Sequence, residues 1–236
     1  HNLTQADNLT IPSSANYTYI NVSITNYTDI DSVIINWNGT NITLIDRTLS
    51  LAFGFSNNTK DRSIMGNWYS SNQGSGVNCT DGVSGKFDGA CSFDGTNDFV
   101  DAGSKLNFER TNSFTMMVWI KSTAANPSGD MCIICKGNHV SPFNGINFAV
   151  LGSTDAEFLQ LIGTSGSTNK LDIRGTIDVA DQNWHHVTVV YDGSSKAGNT
   201  FFYIDGTNDS ARTISTDTLT QTIKTTANLT IGTLNA

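Results

Sequence analysis

The sequence predicts an all-β protein: an antiparallel β-sandwich of the jelly-roll type, preceded by a short N-terminal β segment. Three observations carry that expectation. Almost no stretch shows the 3.6-residue period of an amphipathic helix. Short segments instead alternate apolar and polar residues, which turns one face of a strand to a core and the other to water. Gly, Asn and Asp stand between them, the residues that tight turns demand.

The elements follow in order. YTYINVSI (17–24) alternates, with Ile20, Val22 and Ile24 on one face. SVIINW (32–37) and NITLI (41–45) flank the hairpin signal Asn38-Gly39. LSLAFGF (49–55), KFDGACSFDG (86–95) and NDFVDAG (97–103) come next. SFTMMVWIKS (113–122) sets Phe114, Met116, Val118 and Ile120 on one side. CIICK (132–136), GINFAVLG (145–152), EFLQLIG (157–163) and KLDIRG (170–175) continue the series. WHHVTVVYDG (184–193), TFFYIDG (200–206) and NLTIG (228–232) complete it.

Composition narrows the function classes. Charged residues are 14% of the chain and the net charge is −8. Only 13 Lys and Arg are present, mostly scattered singly, so a phosphate-binding surface for nucleic acid is not expected. No apolar run reaches the ~20 residues that span a bilayer, so no membrane insertion is expected in this segment. Asn-X-Ser/Thr occurs at Asn2, Asn8, Asn16, Asn21, Asn26, Asn38, Asn41, Asn57, Asn78, Asn208 and Asn228. Eight of these eleven precede residue 60, a clustering beyond what an Asn/Thr-rich composition produces by itself. It points to a glycosylated protein, extracellular or on a cell surface.

The four cysteines fit an oxidising compartment. Cys79 and Cys91 flank a Gly-rich turn and are expected to close a disulfide across it. Cys132 and Cys135 lie in MCIIC, within an apolar β-type run. Residues i and i+3 of a regular strand face opposite sides, so buried thiols are expected and a local disulfide would need a bend. Zinc would want a second CxxC or a His pair at suitable spacing, and neither appears.

NWHHVTVVYDGSS (183–195) raises the question of acid–base or metal chemistry. Strand alternation answers it. His185, Val187, Val189 and Tyr191 share one face, and Trp184, His186, Thr188 and Val190 the other. The two histidines face opposite sides and cannot act together, so a core strand is expected.

FDGTNDFVDAG, SFTMMVWIKS, NWHHVTVVYDG with FFYIDG, and LTIG, in this order and spacing, resemble the laminin-G-like (concanavalin-A-like) jelly-roll family over roughly residues 48–236. DRSIMGN (61–67) resembles a further turn of that family, with Ile64 and Met65 departing from its pattern. Asn97 stands where the family often has aspartate. The resemblance implies two packed antiparallel sheets, a core containing Trp119, Trp184, Phe93 and Phe114, and a binding, adhesion or structural role. Some members hold a structural calcium at the rim, and the candidates here are Asp61, Asn67, Asp94 and Asp98. The family pattern continues beyond LTIG with further strands, so residues 48–236 are read as a jelly roll lacking its last strands. Residues 1–47 carry strands the family does not need, a partial immunoglobulin-like or donor-strand segment. Three arrangements stay open: a segment of a longer multidomain protein, capping in cis, or strand donation to a neighbouring copy.

Catalytic signatures are missing from the sequence. No GxSxG elbow is present. Glu109 and Glu157 are the only glutamates, and no paired-acid strand motif links them. A glycan site would use loop aromatics such as Trp68 and Tyr69, with Trp37 a further candidate. The expected function is therefore a non-catalytic surface adhesion or structural module. Its sharpest form is a self-associating filament subunit assembled by strand exchange, and the alternative is a carbohydrate-binding module of a larger secreted protein.

Overall fold

The structure is a computed structural model. It describes residues 32–37, 40–46, 49–55, 59, 72–73, 77–79, 83–87, 89–104, 106–122, 129–138, 144–154 and 156–233. The chain divides into His1–Arg47 and Thr48–Ala236. In the first unit, β1 (Ser32–Trp37) and β2 (Thr40–Asp46) form an antiparallel pair whose register shifts between Val33 and Ile34. The strand expected at 17–24 lies outside the described residues.

The second unit is a sandwich of two antiparallel sheets. Its strands are β3 (Asn72–Gln73), β4 (Val100–Asp101), β5 (Phe114–Ile120), β6 (Met131–Asn138), β7 (Asn144–Leu151) and β8 (Ala156–Ile162). They continue with β9 (Lys170–Asp178), β10 (His185–Tyr191), β11 (Thr200–Ile204), β12 (Thr207–Asn208), β13 (Thr213–Asp217) and β14 (Leu229–Ile231). One sheet has the order β12-β11-β10-β5, the other β13-β9-β8-β7-β6-β14-β4-β3. The expected jelly-roll sandwich is thus the observed one.

Alternation decides what enters the core. From the smaller sheet come Phe114 and Met116 of β5, Val187, Val189 and Tyr191 of β10, and Phe202 and Ile204 of β11. Facing them are Ile133, Ile146, Phe148, Val150, Leu159, Leu161, Leu171 and Ile173 of the larger sheet. A full burial of such side chains is worth ~1.5–3 kcal/mol each, which makes this the main stabilising term. A second cluster joins Val77, Cys79 and Val100, with Phe53, Phe55, Cys91, Phe93 and Ile231 packed against it.

The turn motifs have direct structural causes. Asp205 and Gly206 both have positive φ, 51° and 82°, as the two-residue hairpin between β11 and β12 requires. Gly232 of LTIG has φ 93°, and a Cβ there would lie 2.5 Å from the Phe93 ring. Tyr191 ties the β10 end to the preceding loop: its hydroxyl donates to the Arg110 carbonyl and accepts from the Ser195 amide at 2.9 Å.

Several expectations need correction. Cys132 and Cys135 are a disulfide, not thiols. The bend it needs is supplied by a bulge, where the β6–β7 register shifts between Cys132 and Ile134. Phe114 is buried, but Trp119 and Trp184 are only half-buried and stand outside the core cluster. Phe93 belongs to the second cluster rather than the main core. The described residues of segments 49–55 and 86–95 form isolated bridges rather than strands. The expected Cys79–Cys91 disulfide is present.

Candidate functional site

The outward face of the four-stranded sheet is apolar and aromatic. It follows from the same alternation that builds the core: where Phe114, Met116 and Val118 turn in, Thr115, Met117 and Trp119 turn out. Trp119 is paired across the strands with His186, Met117 with Thr188, and Val190 with Phe201. The Trp119 and His186 rings lie 5.2 Å apart. Met117 remains 59% exposed. At the sheet's far side the Arg212 guanidinium stacks 4.5 Å over Phe201.

A loop adds to this face. The Cys79–Cys91 disulfide and the bridges Asn78↔Ser92 and Ser84↔Gly89 pair the two sides of this loop, a finger, where it is described. Its tip brings Phe87 edge-on to Trp119, with centroids 5.6 Å apart at 86°. The Lys86 ammonium sits 5.0 Å over the same indole. Phe87 is 69% exposed, the most exposed of the large apolar side chains described. The family resemblance assigned Trp119 to the core, which hid this surface; its parity with Thr115 and Met117 was the available signal.

Neither glutamate stands free for acid–base work. Glu157, on β8 at the parity of Leu159 and Leu161, is 0% exposed with both carboxyl oxygens unpartnered. Burial pushes its pKa up to about 8, against the pull of its own amide and with the help of the Asp209 charge. Glu109 accepts from Thr222 Oγ1 at 2.6 Å and the Arg110 amide at 2.7 Å. Burial opposes its charge, but these bonds hold its pKa below the ordinary value. Asp172 is equally buried yet satisfied, by Lys170, Arg174 and Gln160 at 2.9–3.0 Å.

The histidines part as expected. His185 lies between two carboxylates, its Nδ1 2.8 Å from Asp205 and its Nε2 3.0 Å from Asp181. Burial disfavours its charge, but the two carboxylates outweigh that and raise its pKa. Asp181 is drawn down to about 2 by Asn183 first and His185 second. This is a clasp between the loop before β10 and the β11–β12 turn.

Of the calcium candidates, Asp61 and Asn67 lie outside the described residues, as do the glycan candidates Trp68 and Tyr69. Asp94 Oδ1 accepts the amides of Thr96 at 2.8 Å and Asn97 at 3.1 Å, while Asp98 Oδ2 accepts the Asp94 amide at 2.9 Å. Those amides hold Asp94 below its ordinary pKa. Asp98 Oδ1 is buried without a partner. Calcium takes six to eight oxygens. The described half of the set closes a turn on itself and does not by itself fit such an ion. Among the described residues no group of three or more His, Cys, Asp or Glu converges as a metal site would require.

A shallow cleft of about 310 Å³ lies elsewhere, lined by Asn107, Asn144, Lys224, Thr225 and Thr226. Its amides knit loops together: Asn144 Nδ2 donates to the Lys224 carbonyl at 2.7 Å, and the Thr225 amide to Asn107 Oδ1 at 3.1 Å. No helix among the described residues is long and apolar enough to cross a membrane.

Comparisons with known proteins agree with this fold. The chain is similar over 75% of its length to the crystal structure of the binding domain of Paraclostridial Mosquitocidal Protein 1, with a TM-score of 0.56 and 16% identity. It spans 42% of that chain. No curated protein matches the sequence. The Laminin_G_3 family model, described as the concanavalin A-like lectin/glucanases superfamily, matches residues 94–236. That span holds both sheets' principal strands, β4 to β14, and the chain belongs to this concanavalin A-like superfamily.

Proposed function

We propose that the chain is a non-catalytic binding module of an extracellular surface protein and that it takes carbohydrate. The observation that carries this reading is the outward face of the four-stranded sheet, where Phe87 and Met117 stand accessible beside Trp119. Exposed apolar side chains gathered on one face mark an interaction site, and aromatic ones suit the C–H face of a pyranose ring. The lectin-type family and a similar structure described as a binding domain support the same reading. Non-catalysis is supported by the two glutamates, one buried and one hydrogen-bonded into a loop. Secretion is supported by two disulfides and by the sequon residues Asn78, Asn208 and Asn228, all exposed.

Trp119→Ala tests the site. Oligosaccharide binding on a glycan array should fall at least about tenfold, the loss of one aromatic hot spot. Ile214→Ala, at an exposed apolar residue on β13, should leave it unchanged. Equal binding by both variants would remove this face from the function.

A filament subunit assembled by strand exchange is the second reading. Among the described residues β5 is hydrogen-bonded on one side only, by β10, and carries neither charge nor proline over Phe114–Ile120. Such an edge is a ready acceptor for another strand. Native mass of the intact, glycan-bearing protein decides it: an open-ended polymer supports strand exchange, and a monomer overturns it.

A further inference from the structure

His185 sits in a contact that only one of its protonation states can make. Its Nδ1 lies 2.8 Å from Asp205 Oδ2, and its Nε2 lies 3.0 Å from Asp181 Oδ1. Ionised carboxylates only accept hydrogen bonds, so both ring nitrogens must carry protons and the ring is an imidazolium. The neutral ring keeps a single N–H. Its other nitrogen then turns a lone pair toward a carboxylate oxygen, and two acceptors at that distance repel. One of the two contacts has to open when the proton leaves.

The anchoring of the two carboxylates decides which one opens. Asp205 is tied to β10 twice more: its amide donates to the His186 carbonyl at 3.0 Å, and its Oδ1 accepts the His186 amide at 2.8 Å. The other bonds of Asp181 stay within its own turn, from the Asn183 amide at 2.8 Å and the Asn183 side chain at 2.9 Å. Gln182 between them has a φ of 69°, a left-handed conformation unfavourable for a residue with a Cβ. Val179 and Ala180 are held in the core, so the part free to move is 181–184. The turn is therefore bent against its preference, and the bond to His185 reaches across to hold it.

The charged and titratable groups around this ring are few. Asp181 faces it from the preceding turn and Asp205 from the β11–β12 turn. His186 follows it on β10 and turns to the opposite face. Across on β5 stands the uncharged Ile120, with Lys121 one residue further on and exposed. At the end of β9, Asp178 spends its Oδ1 on the Ala180 amide. Burial works against the ring's charge, but the bonds to Asp205 and Asp181 prevail, so the proton leaves above the ordinary value of 6.5.

We propose that His185 is a proton-operated latch: protonated, it clasps turn 181–184 to the β11–β12 turn at the end of the four-stranded sheet, and on losing its proton it keeps Asp205 and releases Asp181. Asp181 is 37% exposed, so water takes the place of the ring once it is released. The latch's contribution to stability is complete below 6.5 and is lost as pH rises through the raised folded value. The latch does not depend on the carbohydrate reading.

The test is an NMR titration of the isotope-labelled full chain between about pH 5 and about pH 9, following the His185 ring, the Asn183 amide and the Trp184 indole. The His185 midpoint is expected above 6.5, and the Asn183 and Trp184 signals are expected to move with that same midpoint. Corrected for intrinsic rates, amide exchange in 181–184 should rise at least about fivefold across it. Asp181→Asn puts against Nε2 an amide that both accepts and donates. The turn should then ignore pH, and the His185 midpoint should fall by roughly half a unit or more. Thermal melts check that this variant folds, and the wild-type titration decides by itself if it does not. A His185 midpoint at or below 6.5 would overturn the latch, as would exchange in 181–184 that stays constant across a raised midpoint. So would a folded Asp181→Asn chain whose turn still follows pH as the wild type does.

Discussion

Gly145→Ala is expected to lose at least about 3 kcal/mol of stability, or roughly 6–12 °C in Tm for a domain of this size. Gly145 is the second residue of β7 and sits opposite Gly137 of β6. Its φ is 129°, and an added Cβ would lie 2.0 Å from the Lys136 carbonyl oxygen and 2.7 Å from the Gly137 Cα. Both are backbone atoms of the neighbouring strand, so relief requires the β6–β7 ladder to separate. Lys136 makes that costly. It is 2% exposed, and its ammonium donates to the carbonyls of Ser104 and Ala227, tying two loops to the same strand. Gly198→Ala is the control, because a Cβ there meets nothing within 4 Å. Chemical denaturation of the two variants should separate them clearly; equal midpoints would mean that the two strands do not approach as described.

Glu157→Gln is expected to stabilise the protein at alkaline pH and to flatten its stability profile. Between the ordinary carboxyl value of 4.5 and about 8, the native chain holds a proton on Glu157 that the unfolded chain releases. The unfolded state therefore binds fewer protons in that window, and stability falls as pH rises through it. The protonated acid's contribution is complete below about 4.5 and lost above about 8. A shift of that size corresponds to roughly 3–5 kcal/mol, discounted for water entering as the charge forms. Glutamine keeps the shape and cannot ionise. Unfolding free energies of wild type and Glu157→Gln at pH 5 and pH 9 should diverge with pH. Parallel profiles would mean that Glu157 is charged and partnered throughout. Gly175→Ala reports on the same contact, since its Cβ would fall 2.1 Å from the Glu157 carboxyl.

Both residues mark where sequence reading stops. Strand identity was legible because alternation is local: Phe114, Met116, Val187 and Val189 turn inward as their spacing requires. The two histidines were separable on the same ground. What depends on partners across the fold was not legible. Glu157 reads as the polar start of a strand, and only the β8–β9 bulge and the neighbouring Gly175 reveal its burial. β13 (TISTD) was missed because an exposed edge strand need not alternate. The Cys132–Cys135 pair depended on a bulge that no spacing rule announces. Trp119 was misassigned because a family position was read as core, although its own strand parity put it outside. The candidates Trp68 and Tyr69 were chosen as loop aromatics, whereas the aromatic face described here lies on β5 and the finger that covers it.

On the proposed function, this superfamily member holds sugar without transforming it. The most direct measurement incubates the intact protein with oligosaccharides and quantifies, in the same samples, bound ligand and newly formed reducing ends. Saturable binding with no rise in reducing ends, lost in Trp119→Ala, is the expected result. Reducing ends that accumulate with protein concentration and persist in Trp119→Ala would contradict it.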